Sequence, residues 1–158
     1  MPHNTFNNSP PRGVAARGSK INKHWIVGFT DGEGCFYIGI NKTAQRQLKY
    51  QVLPEFRITQ HRVDLNLLND IKDFFGCGDV CSNKGKNSTL ILEYRVRGLS
   101  NFSNIIIPFF DSNPLLTKKK QDYEYFKQVI KLMESGEHLT QDGLSRLLDI
   151  LNKMNKRD

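Results

Sequence analysis

The sequence predicts an α+β fold in the order α-β-β-α-β-β-α, with an antiparallel sheet and extra C-terminal helices. Three observations carry this. Two runs with period-two alternation are joined by a polar turn, and a second such pair follows later in the chain. Segments with helical spacing precede, separate and follow the two pairs. No internal repeat is visible, so the unit occurs once in the 158 residues.

In chain order, Lys20 to Asp31 reads as a helix, with Ser19 as N-cap and Ile21, Trp25, Ile26 and Phe29 at helical spacing. Gly32 and Gly34 are expected to stop it. Cys35 to Lys42 reads as a strand in which Phe36, Ile38 and Ile40 alternate with Tyr37, Gly39 and Asn41. A polar turn around Thr43 to Gln47 leads into a second strand, Lys49 to Gln60. There Tyr50, Val52, Pro54, Phe56 and Ile58 share one face, and Gln51, Leu53, Glu55, Arg57 and Thr59 share the other. Pro54 has no N–H to give a ladder, so a bulge or an edge position is expected around it. Asp64 to Phe75 is helical, with Leu65, Leu68, Ile71 and Phe75 on one face, and Gly76 ends it. The second hairpin spans Gly78 to Gly98 and turns at Asn83 to Asn87. Helices follow at Leu99 to Ile107, Lys118 to Met133 and, capped by Thr140, Gln141 to Met154. Residues 20–158 are expected to form one domain behind a flexible basic tail, residues 1–19, since the first acidic residue is Asp31.

Bulk properties narrow the function classes. Lys and Arg number 23 against 16 Asp and Glu, a net charge of +7 that points to a polyanion. Solubility alone is the competing explanation. The longest apolar stretch, Ile105 to Phe110, contains Pro108 and falls far short of the roughly 20 residues a membrane helix needs, so a soluble protein is expected. Cys35, Cys77 and Cys81 are an odd set with no Cys/His pair to complete a zinc site. They read as reduced thiols of an intracellular protein.

The segment Ile26 to Gly34 carries the chemistry. Gly28 and Gly32 stand at i,i+4 on one helix, a spacing that lets a second helix approach closely. Asp31 and Glu33 follow, set between glycines. Two such helices packed together would bring carboxylates to one point, and hard oxygen ligands are what Mg²⁺ takes. Metal ions held there could activate water and stabilise the departing oxygen of a phosphodiester. A short Asp-Gly-Glu-Gly taken alone would more often be a plain polar turn.

The segment resembles the LAGLIDADG motif of homing endonucleases, and the α-β-β-α-β-β-α order matches that family from Ile21 to about Met133. The resemblance implies a metal-dependent DNA endonuclease using Mg²⁺, with Mn²⁺ able to substitute. It implies that Glu33, in place of the commoner Asp, binds the metal together with Gly32. Asp31 is expected to hold the helix end or lie in the outer shell. The family's water-ordering polar residue near the end of the second strand matches Gln60, and its lysine after the second hairpin matches Lys118. Arg62 stands near the place of a further basic residue. One motif per chain implies a homodimer, with Trp25, Gly28, Phe29 and Gly32 at the interface and a long pseudo-palindromic site in double-stranded DNA, cut to leave 3′ overhangs. Members are commonly encoded in introns of chloroplast, mitochondrial or microbial genes, which implies an organellar location in a eukaryotic host.

The solvent faces of the strands are the expected reading surface. The first hairpin offers Tyr37, Asn41, Arg46, Gln51, Glu55 and Arg57, and the second adds Asn83, Lys84, Lys86, Glu93, Arg95 and Arg97. A two-stranded ribbon fits the major groove, where Arg and Gln pair with base edges. Lys84 and Lys86 are better placed for phosphate. The competing function is a non-cleaving nucleic-acid binder on the same fold, such as an intron RNA maturase; a basic scaffold is a third possibility.

Overall fold

The computed structural model describes residues 21–82 and 89–156. The basic tail, its Ser19 cap, and Asn83, Lys84 and Lys86 of the second hairpin turn lie outside the described residues.

Helix α1 spans Lys23–Glu33. It starts later than its pattern suggests because Asn22, not Ser19, caps it: the Asn22 side-chain oxygen accepts from the Trp25 N–H at 3.0 Å. It also runs through Gly32, and the change to strand comes at Gly34. A Cβ at Gly34 would sit 2.6 Å from Thr30 Cγ2 and 2.8 Å from the Thr30 carbonyl oxygen, so only glycine fits there.

Strands β1 (Gly34–Lys42), β2 (Tyr50–His61), β3 (Asp79–Ser82) and β4 (Ile91–Val96) form one antiparallel sheet in the order β1-β2-β4-β3. Pro54 pairs with Ile38 of β1, while β4 meets β2 only from Phe56 onward. Pro54 therefore lies where β2 has a free edge on one side, as its missing donor requires.

Phe36, Phe56, Ile58, Tyr94 and Val96 turn one face of the sheet into the core. Helix α2 (Leu65–Phe75) covers it with Leu68, Ile71 and Phe75, and ends on Gly76 in the left-handed conformation (φ 68°). Phe36 and Phe56 stack with centroids 5.0 Å apart, and Phe110, Tyr123 and Phe126 pack around Phe36 at 5.3 to 5.5 Å.

The region after β4 departs from a simple helix. Helix α3 (Leu99–Asn101) passes through a π turn (Phe102–Ile106) into helix α4 (Ile107–Ser112). The sequence reading stops this helix at Ile107, but it continues past Pro108. The Ile107 N–H reaches back five residues to the Phe102 carbonyl, and this wide turn just ahead of Pro108 lets the helix run on without the proline's missing hydrogen bond. Helices α5 (Lys119–Glu134) and α6 (Gln141–Asn155) close the fold. Thr140 Oγ1 caps α6 by accepting from the Gly143 N–H at 3.1 Å. Among the described residues, no helix is long and apolar enough to cross a membrane, and all three cysteines are free thiols.

Candidate nucleic-acid interface and catalytic centre

Along α1, Ile26 and Thr30 are buried, whereas Gly28, Gly32 and Glu33 are exposed. A Cβ placed at Gly28 or at Gly32 meets no atom of the chain within 4 Å. Trp25 and Phe29, one helical turn apart, stack with centroids 4.5 Å apart and stay only half-buried. The helix thus turns one side inward and presents two glycines, flanked by an aromatic pair, to the outside.

Asp31 is committed elsewhere. Its carboxylate accepts from the Leu116 N–H (2.9 Å), the Thr117 N–H (3.1 Å) and the Thr117 hydroxyl (2.7 Å). Burial alone would raise its pKa, but these three hydrogen bonds and the charge of Lys119 hold it below the ordinary value of 3.8. Asp31 therefore ties the end of α1 to the segment just ahead of α5, where Lys118 sits at the N-cap. Leu116 and Thr117 are the residues sequence reading missed. Nothing local marks them, because their partner lies 85 and 86 positions away.

Gln60 comes to the same end of the molecule by register. Gly34, the residue after Glu33, pairs with Ile58 of β2, and Gln60 lies two residues further along that strand, opposite Leu92 of β4. Arg62 follows in a 3₁₀ turn (Arg62–Asp64), its N–H bonded to the Leu90 carbonyl at 2.7 Å. The end of α1, the end of β2 and the start of α5 thus converge. Glu33 supplies a free carboxylate there, with Asp31 already bonded to the loop. Among the described residues no three potential metal-ligating side chains cluster. One exposed carboxylate and the neighbouring Gly32 carbonyl are hard oxygen donors that suit half of a divalent-cation site.

The face of the sheet turned away from the core carries the polar set. Tyr37 pairs with Glu55, Asn41 with Gln51, and Arg57 directly with Arg95, all on this face. Arg46 is exposed in the turn between β1 and β2. Arg57 lies 4.5 Å over the Tyr37 ring. Glu55 and Glu93 depart from the expected exposed surface: they are only 6% and 3% exposed. Arg97 and Arg57 pair with Glu55, and Arg95 pairs with Glu93 at 3.0 Å. Alternation put both acids on the outward face correctly, but the long arginines beside them close over that face.

The family model of the LAGLIDADG endonucleases matches residues 26–130, well over half of the chain. An uncharacterised 50.9 kDa protein in ND4 intron 1 of Podospora anserina is 40% identical over 124 residues, which are 77% of this chain and 26% of that protein. The chain thus spans about a quarter of that curated relative. The crystal structure of the homing endonuclease I-TnaI superposes with a TM-score of 0.79 at 42% identity, covering 87% of this chain and 90% of that one. I-SmaMI, bound to an uncleaved DNA target in the presence of calcium ions, gives a TM-score of 0.80 at 37% identity, covering 86% of this chain and 45% of that one. The fold thus matches nearly all of one solved chain and less than half of another.

Proposed function

The chain belongs to the LAGLIDADG endonuclease family, and we propose that it is a site-specific endonuclease cutting double-stranded DNA at a long, pseudo-symmetric site. The single observation that carries this is the arrangement of α1: an exposed Glu33 at the end of a helix whose outer face is bare glycine. Packing that face against a second copy of α1 would place two Glu33 carboxylates together, one for each strand to be cut. A homodimer is the simplest such assembly, with Trp25, Gly28, Phe29 and Gly32 at its axis.

Glu33 and the Gly32 carbonyl would hold a divalent cation, Mg²⁺ or Mn²⁺, which when bound supplies positive charge against the phosphate and a more acidic water. Gln60 and Lys118 orient the attacking water. Lys118 also offers positive charge to the scissile phosphate, and Asp31 keeps it there by fixing the segment before α5. Tyr37, Asn41, Gln51, Arg57, Arg95 and Arg97 face the groove as base-reading and phosphate-contacting groups. Arg46 extends the contact surface at the turn between β1 and β2. The place of the Podospora relative in ND4 intron 1 supports an intron-encoded, organellar protein.

The test is cleavage of a randomised duplex library with Mg²⁺, beside Glu33→Gln and an EDTA control. Fragments with 3′ overhangs at one long site are expected from the wild type only. Glu33→Gln should slow cutting by about 10²- to 10³-fold, the effect of removing a single preorganised charge-stabilising group, while duplex binding persists. A wild type that selects a site yet leaves both strands intact would replace this reading with that of a binder.

A further inference from the structure

We propose that Glu55 and Glu93 are positioning residues for base readout: buried carboxylates that hold Arg57, Arg95 and Arg97 in a fixed arrangement and restrain the sheet from binding DNA of any sequence. The inference rests on the DNA-cutting reading above.

Arg57 and Arg95 are direct cross-strand partners on the outward face. Like charges so placed repel. Each has an acid beside it on the same face: Arg57 Nε lies 3.6 Å from Glu55 Oε2, and Arg95 Nη1 lies 3.0 Å from Glu93 Oε1. Arg97 Nε donates to Glu55 Oε1 at 2.5 Å. At 6% and 3% exposure, neither acid can reach a base edge in a groove. A carboxylate buried to that degree must stay paired or pay a desolvation penalty. The arginines, by contrast, remain accessible, with side chains 60% exposed at Arg97, 29% at Arg57 and 25% at Arg95.

Each guanidinium has five N–H donors, and the pairs described above use only some of them, so donors remain for a guanine edge. A fork already held by a carboxylate loses less side-chain freedom on docking than a free one. Three guanidiniums less two carboxylates leave a net charge of +1 on this cluster where the arginines alone would carry +3. The salt-dependent, sequence-blind part of DNA affinity is correspondingly reduced. The acids thus weaken non-specific binding while sharpening the specific contacts.

The experiment compares the full chain with Glu55→Gln, Glu93→Gln and Arg97→Lys. It uses site selection from a randomised duplex library in Ca²⁺, and titration of a non-cognate duplex across salt concentrations. Each Glu→Gln variant should bind the non-cognate duplex more tightly and steepen the plot of log K against log salt by about one unit. Base preference at the affected positions should relax on the order of tenfold. Arg97→Lys, which keeps the charge and loses the fork, should relax the same positions as Glu55→Gln without steepening the slope, and the double variant should be non-additive. If the Gln variants merely melt earlier and select the wild-type site with an unchanged slope, the acids are structural and the proposal fails. If Glu55→Gln loses a cytosine preference that Arg97→Lys retains, the acid reads the base itself and the proposal also fails. A wild type that selects no site at all removes the DNA reading together with this one.

Discussion

The outer side of α1 and the outward face of the sheet are both open to solvent, yet they are built in opposite ways. On α1 almost nothing is engaged: Gly28 and Gly32 have empty space above them, and Glu33 is free. On the sheet nearly every charge already has a partner, with Glu55, Glu93, Arg57, Arg95 and Arg97 joined in pairs and Arg57 set over Tyr37. On the proposed reading the helix face takes one partner of matching shape, because its glycines let a second helix backbone approach closely. The sheet face is built from groups already held in place, since each paired guanidinium keeps donors for a phosphate or a base edge while its buried carboxylate stays paired. The first interaction should be nearly indifferent to salt, and the second should fall steeply with it.

The strongest way to break this contrast is Gly28→Leu. A Cβ at position 28 meets no atom of the chain within 4 Å, and a helix interior gains about 0.5–1 kcal/mol when glycine is replaced. The Tm of dilute protein should therefore hold or rise. Pairing of two α1 helices should be lost, and cleavage should fall by about 100-fold or more because the two centres no longer align. Sedimentation and cleavage rate together decide it; a variant that still pairs and cuts places the partner surface elsewhere.

Asp31→Asn has a smaller effect and tests the tie between α1 and α5. Losing the charge-assisted bonds to Leu116 and Thr117 should cost about 1–2 kcal/mol after allowance for solvent screening. Because the folded pKa of Asp31 lies below 3.8, its stabilisation is complete above about pH 4 and fades as pH falls through the folded value. The variant should thus be less stable than wild type at pH 7 but converge with it in acid. Denaturant titrations at pH 7 and pH 3 check this, and an equal gap at both would show that the carboxylate's charge is not what holds the loop.

The smallest change is Tyr37→Leu, which removes the ring beneath Arg57. Such a contact is worth about 0.5–1 kcal/mol at an exposed site, so target affinity should drop by about two- to fivefold. A much larger loss would show that Tyr37's own contact with the DNA outweighs its support of Arg57.

Much of this was legible in the residues, for local reasons. Alternation in Phe36, Ile38, Val52, Phe56 and Ile58 set both strands and the face each buries, because side-chain direction in a strand has a period of two. The glycine at position 76 ended α2 as expected, since it alone adopts a positive φ without strain. Thr140 caps α6 as expected for a different local reason, its hydroxyl accepting from the Gly143 N–H. Helix ends were less legible: Asn22 outcompeted Ser19 as the cap of α1, and the π turn before Pro108 carried a helix through a residue that normally ends one. Gly32 looked like a stop and is a helical residue, because the close approach that demands glycine falls two positions later, against Thr30.

From the sequence alone came the sheet, its two faces and the glycine spacing of α1. These depend on residue type and short-range period. Only the tertiary structure decided that Asp31 is spent on Leu116 and Thr117, that Glu55 and Glu93 lie buried under arginines, and that Arg57 faces Arg95 across two strands. Such facts turn on which distant segments meet and on how long side chains fold over their neighbours. Neither is encoded in local period: the first is set by strand register and loop closure, and the second by the cost of leaving a charge unpaired.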